Sequence, residues 1–225
     1  MNTILLAVAP VLIIIIYVYF KDKYEKEPTG LLFLSFVLGA VVSIIITTIL
    51  YLGFDIVLPL KDDFSVFQQF IKAFFVVALV EEFSKYVIVR YFAQPRLAFN
   101  EPYDGIMYAV MVSMGFAATE NILYVIQGGT EVAVLRAFTA VPAHATFGIL
   151  MGYFMGKAKF SSNRIKLNLA GLGLAIFFHG AYDFFLFIKF IPGIWAGAFV
   201  SLIIGILLSR KAIKKHQERS HFKSL

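Results

Sequence analysis

The sequence predicts an all-α protein, a polytopic transmembrane helical bundle of about seven spans. Three observations carry that expectation. Of 225 residues, 60% are apolar and only 15% charged, where a soluble domain carries about 25% charged residues. Mean hydropathy is +0.83. The apolar residues fall in separate runs divided by short polar stretches, and seven helices of about 20 residues use about 140 positions. That leaves one integral-membrane domain over 1–225 and no room for a large soluble one, and it excludes an ordinary soluble globule, a disordered tail and a coiled coil.

The first run, 3–20, lacks a basic leader and a small-residue cleavage site before KDKYEKEP, so it reads as a retained span rather than a signal peptide. The second is 31–52. The third, 67–91, is charged along its length with Lys72, Glu81, Glu82, Lys85 and Arg90. The fourth, 104–126, carries Glu120, and QGGTE then makes a turn into the fifth, 132–157, with Arg136 and His144. The sixth, 167–190, holds His179 and Asp183; the seventh, 194–209, is the shortest and leads into a basic tail, 210–225. Sixteen of the 20 Lys and Arg gather at the ends formed by 21–29, 85–103, 157–166 and the tail. Basic residues collect on the cytoplasmic side, which predicts the N-terminus outside and the C-terminus cytoplasmic. The net charge of +6 therefore belongs to membrane-flanking loops, and no nucleic-acid surface is expected. Absence of cysteine excludes disulfides, a thiol nucleophile and thiolate metal sites.

Spans four and five carry small residues every fourth position: Gly105, Ala109, Ser113 and Ala117, then Gly148, Gly152 and Gly156 following His144. Such ridges let backbones approach where no hydrophobic effect draws helices together. Arg136 and Lys72 lie nearer the outer ends and read as snorkelling residues.

Six ionisable side chains sit deep in apolar runs: Glu81, Glu82, Glu120, His144, His179 and Asp183. Each costs roughly 2.5 to 3.5 kcal/mol at the bilayer centre, so they must face one another or a shared watery cavity. Spans three to six should build that cavity, with spans one, two and seven peripheral. Glu81 and Lys85, four apart, can pair along one face. One of the two adjacent glutamates would then be held by Lys85 while the other faces the cavity as a proton carrier. His179 and Asp183 are also four apart, so the aspartate can orient the imidazole. Water activated by glutamate and histidine is the simplest chemistry for this set, with His144 or Asn121 stabilising the oxyanion. The reading takes the reaction as metal-free. Its alternative is a divalent metal, zinc before others, on ligands drawn from Glu82, Glu120, His144 and His179, although no H-E-x-x-H pattern is present. The same cluster would also serve a proton- or ion-coupled transporter.

EEFSK (81–85), FAATEN (116–121), PAHATFG (142–148), HGAYD (179–183) and the DG pair beginning at Asp104 resemble, in this order, the motifs of the PrsW family of intramembrane proteases. KDKYEKEP is similar to that family's first cytoplasmic loop. The resemblance implies a multi-pass protease of the bacterial plasma membrane, related to the CAAX prenyl endopeptidases and the CPBP proteins. It further implies a single-pass, anti-sigma-factor-like substrate cut at a first site as part of a stress response. By the likeness, Glu81 and Glu82 are the paired glutamates of the first motif, one of which activates water, and Lys85 supports them. Phe116 and Glu120 stand where the prenyl endopeptidases have F-x-x-x-H. His179 and Asp183 stand where relatives usually have H-x-x-x-N.

Overall fold

The computed structural model describes residues 3–224, and everything in it is helical or loop. Helix α1 spans Thr3–Lys21 and α2 spans Thr29–Val57, the latter interrupted by a π-helical turn at Gly39–Ser43. Helix α3 covers 66–93 and passes through two more π segments, Lys72–Ala78 and Val89–Ala93, on either side of the α-helical Leu79–Ile88. Helices α4 (Pro102–Phe138), α5 (Ala140–Lys159), α6 (Arg164–Phe187) and α7 (Ala196–Glu218) follow, and a 3-10 turn, His221–Ser224, ends the described chain.

The seven expected spans are not reproduced one for one. Five helical stretches are long and apolar enough to cross a membrane: Thr3–Lys21, Thr29–Val57, Pro102–Lys159, Arg164–Phe187 and Ala196–Glu218. Helix α3 is not among them, because it carries five charged residues, Lys72, Glu81, Glu82, Lys85 and Arg90. The expected fourth and fifth spans form one apolar stretch, bent at Gly129 (φ 70°, ψ −159°) and broken again at Thr139 (φ −123°, ψ −78°). The chain therefore bends within QGGTE, and the helix that follows breaks once more before Ala140–Lys159. The seventh span is longer than expected: helix continues through most of the basic tail to Glu218.

The first half of α4 is the axis of the bundle. Every residue from Tyr103 to Ala118 is buried, as expected of a helix apolar on all sides. Its start is fixed by a capping box: the Glu101 and Asp104 side chains each accept from the other's backbone N–H, and Pro102 occupies the first turn. Asp104 Oδ2 also accepts from the Asn100 N–H at 2.7 Å. Helices α1, α2 and α5 pack around this axis, while α6 packs on α5 and α3, and α7 on α5 and α6.

The small-residue ridges do meet. A side chain at Gly105 would run into the backbone of Gly152 and Gly156, one at Gly152 into the backbone of Gly105 and Ile106, and one at Gly148 into Ser113 Cβ at 2.9 Å. The Ser113 hydroxyl donates to the His144 carbonyl across this seam at 2.7 Å. A second close approach sets Gly39 of α2 against Val112 and Gly115 against Phe36. Large apolar side chains on α1, α2 and α7, such as Ile13, Phe33 and Ile203, remain exposed on the outside of the bundle, the surface a lipid bilayer would cover.

Candidate active site

The α-helical part of α3 turns Glu81, Glu82 and Lys85 inward, and all three are buried. Lys85 Nζ donates to Glu82 Oε1 at 2.8 Å and stands 3.8 Å from Glu81 Oε2. It also lies 3.1 Å from His144 Nδ1 and 4.2 Å from the centre of the Phe116 ring. The expected Glu81–Lys85 pair is thus the looser of the two. Residues three and four apart are near neighbours on a helix, and here the ammonium is drawn to the third.

The consequence is a division of labour between the two acids. Glu82 is fully buried, clamped by Lys85 and by His179 Nδ1 at 2.9 Å, and does not line the cavity. Glu81 does line it. Its Oε1 accepts a 2.7 Å hydrogen bond from the Tyr51 hydroxyl, and its buried Oε2 has no hydrogen-bond partner.

His179 and Asp183 pair as their spacing predicts, Nε2 to Oδ2 at 3.2 Å, and the imidazole stacks on Phe147 with centroids 4.8 Å apart at 15°. His144 heads the glycine ridge of α5 and presents Nε2 to Glu120 Oε2 at 2.9 Å. Arg136 donates to the same oxygen at 2.7 Å and to Asn121 Oδ1 at 2.7 Å. One ligand atom each from Glu81, His144 and His179 falls within 4.8 Å of the others, a group of buried donors that could hold a metal ion. These side chains open on a cavity of about 630 Å³, whose walls also include Tyr51, Glu120, Arg136 and Asp183.

The structure therefore brings together Glu81, Glu82, Lys85, Phe116, Glu120, His144, His179 and Asp183, and gives other contacts to the remaining candidates. Glu82 and Glu120, candidate ligands in the metal alternative, hydrogen-bond the imidazoles of His179 and His144. Asn121, expected as an oxyanion donor, is fully buried, and its amide donates to the Ala7 carbonyl at 2.7 Å, pinning α1 to α4. Asp104 caps the start of α4 and does not line the cavity. Arg136 does not snorkel but anchors Glu120. The second span is not peripheral, because Tyr51 comes from it. Tyr51 lies in no motif with the acid it touches, so only the polarity of a tyrosine in an apolar run could have flagged it.

Residues 27–210 match the family described as PrsW family intramembrane metalloprotease. The chain belongs to the PrsW family. Relatives named Protease PrsW include one from Oceanobacillus iheyensis, 43% identical over 180 residues, which cover 80% of each chain. One from Geobacillus kaustophilus is 39% identical over 86% of this chain and 83% of its own. One from Bacillus subtilis is 37% identical over 80% of each. No solved structure matches the chain. As a PrsW protein it is a peptidase and a multi-pass protein of the bacterial membrane.

The metal in the family's description fits the residues present. A carboxylate and two imidazoles are a zinc-type donor set, and the free Glu81 Oε2 is a buried acceptor awaiting a partner. Each imidazole has a carboxylate on one nitrogen, Glu120 on His144 Nε2 and Glu82 on His179 Nδ1, as metal-binding histidines do; the second nitrogens face Lys85 and Asp183, which a metal would displace. Lys85 supplies the positive charge that balances these groups in this structure.

Proposed function

We propose that the chain is an intramembrane endopeptidase that cuts a single-pass membrane protein of the anti-sigma-factor type at its first cleavage site. The observation that carries this reading is the convergence of Glu81, His144 and His179 within 4.8 Å at the wall of a cavity. The expected topology belongs to the same proposal: seven membrane passages counting α3, the N-terminus outside and the C-terminus in the cytoplasm.

In this mechanism the three side chains fix the point where the attacking water sits. Glu81 rather than Glu82 is the water-activating carboxylate, since Glu81 faces the cavity and keeps Oε2 free. It takes the water's proton as oxygen attacks the peptide carbonyl, and passes it to the leaving nitrogen. The negative charge that builds on the carbonyl oxygen needs a donor, and His179 Nε2 or His144 Nε2 supplies one only by releasing Asp183 or Glu120. Glu81, His144 and His179 would hold a divalent cation, which would supply Lewis-acid polarisation of the carbonyl and of the water. With Glu81 engaged in that way, Glu120, 2.9 Å from His144 Nε2 and in the cavity wall, would carry the proton instead. The family's description puts this metal-assisted form ahead of the metal-free one.

The test is co-reconstitution with a single-pass anti-sigma-factor-like protein in liposomes, with fragments read by gel mobility and mass spectrometry. Glu81→Gln and His179→Ala should insert and fold but leave the substrate whole. Chelator should stop the wild type and zinc restore it; cleavage that persists in strong chelator selects the metal-free form. Undiminished cleavage by both variants would overturn the assignment. Substrate-independent proton flux through the same liposomes would point to the ion-coupled transport reading.

A further inference from the structure

Lys72 stands at a crossroads of the molecule. It begins the π segment of α3 and lines the catalytic cavity. It also lines a groove beside Thr48, Tyr51, Asp55, Leu58 and Leu60 at the end of α2, and a third hollow beside Phe64 and Phe190. The catalytic cavity and the α2 groove share Thr48, Tyr51, Lys72 and Val77, so they form one continuous path from the loop after α2 to Glu81.

The charge on this path is uncommitted. Arg136, the cavity's other permanently cationic side chain, is bound to Glu120. Lys72 makes no ion pair with any described carboxylate; Nζ lies 5.6 Å above the Phe187 ring. A half-buried ammonium on a mainly apolar trough, whose one acid, Asp55, makes no ion pair with it, suits an extended polypeptide that presents one acidic side chain.

We propose that Lys72 is a specificity residue: it binds a Glu or Asp side chain of the substrate, whose polypeptide lies along the α2–α3 groove with its scissile bond at Glu81. This rests on the peptidase reading of the Glu81 site. The spacing follows from helix geometry. Lys72 and Glu81 are nine positions apart, about 13 Å along a helix at about 1.5 Å per residue. An extended chain covers that in about four residues at about 3.3 Å each. The acid therefore lies three to five residues from the cut bond, on the side toward the 58–65 loop.

The experiment uses the single-span protein cleaved in the liposome assay, remade with Glu, Gln or Lys at positions three to five on each side of its cut bond. Wild type should prefer Glu on one side only. Lys72→Gln should raise KM for the Glu substrate about tenfold, the worth of one charged hydrogen bond, with kcat and the Gln substrate unchanged. Lys72→Glu should reverse the preference toward the Lys substrate, and Lys72→Arg should keep it. Lys61→Gln, at an exposed position, controls for a general loss of charge at that end. Equal KM for Glu and Gln substrates in wild type, or an unchanged Glu preference in Lys72→Gln and Lys72→Glu, would overturn the proposal and leave Lys72 as a residue facing lipid headgroups. Failure of the parent reading looks different, because Glu81→Gln would then cleave the Gln substrate.

Discussion

Lys85→Met isolates what one buried charge contributes. Methionine keeps most of the lysine stem and its packing against Phe116, so the change is chiefly electrostatic. The ammonium is 1% exposed and its partner Glu82 is 0% exposed, and Glu82 Oε2 already has no hydrogen-bond partner. Without Lys85, Glu82 keeps only the His179 contact. Breaking one side of a buried pair costs about 3–5 kcal/mol, because the remaining charge is stranded. In a chain of this size each kcal/mol lowers Tm by about 2–4 °C, so the variant should melt about 6–20 °C below wild type in detergent. Lys189→Met, at an exposed position, should stay within about 2 °C. The double variant Glu82→Gln/Lys85→Met should regain part of the loss, because no charge is then stranded. A drop no larger than that of Lys189→Met, or a double variant as unstable as the sum of its singles, refutes the reasoning.

Three further outcomes are expected. Gly152→Leu should lower Tm by more than about 5 °C, since overpacking costs about 1–3 kcal/mol even where neighbours can shift and here the obstruction is the backbone of Gly105 and Ile106; an unchanged melt would mean the seam can part. Tyr51→Phe removes the hydroxyl bound to Glu81 Oε1 and should slow cleavage about tenfold, the worth of one charged hydrogen bond, with little change in Tm; equal rates would show that Tyr51 does not hold Glu81. In the loop after α1, burial raises the Glu27 carboxyl from 4.5 to about 7, although the Tyr108 hydroxyl bound to it opposes the shift. A raised carboxyl gives stability that is full below pH 4.5 and lost as pH rises through about 7. Wild-type Tm should therefore fall over that window, and Glu27→Gln should flatten the fall; parallel curves would show that Glu27 does not contribute it.

What the sequence made legible is what local spacing controls. The α4–α5 seam follows from small residues every fourth position, and the His179–Asp183 pair from a separation of four. Choosing between Glu81 and Glu82 was beyond spacing, because a lysine three or four positions on reaches either acid. Tyr51, Arg136 and Asn121 show the other boundary. Tyr51 meets its acid from a different helix, 30 positions earlier. Arg136 turns inward because Glu120 and Asn121 lie across the bend at Gly129. Asn121, one residue past Glu120 and so about 100° around the helix, faces α1 instead of the cavity. Asp104 had a readable signal, since Glu101-Pro-Tyr-Asp104 is a helix-start pattern, but its buried acid invited a chemical role.

The seam between α4 and α5 also decides which wall of the chamber can swing. With carbonyls and α-carbons set directly against one another, those two helices behave as a single post, and the post carries Glu120 and His144. The half of α2 beyond its π-turn is held differently: of Ile44–Val57, only Thr47 is buried, and Ser84 takes its hydroxyl at 3.0 Å. Tyr51 adds one latch, to Glu81. A polypeptide arriving sideways from the bilayer would therefore meet a door hung at Gly39–Ser43 and closed by two hydroxyls. Opening it would carry Tyr51 away from Glu81, and closing behind the substrate would bring the hydroxyl back onto the carboxylate it positions.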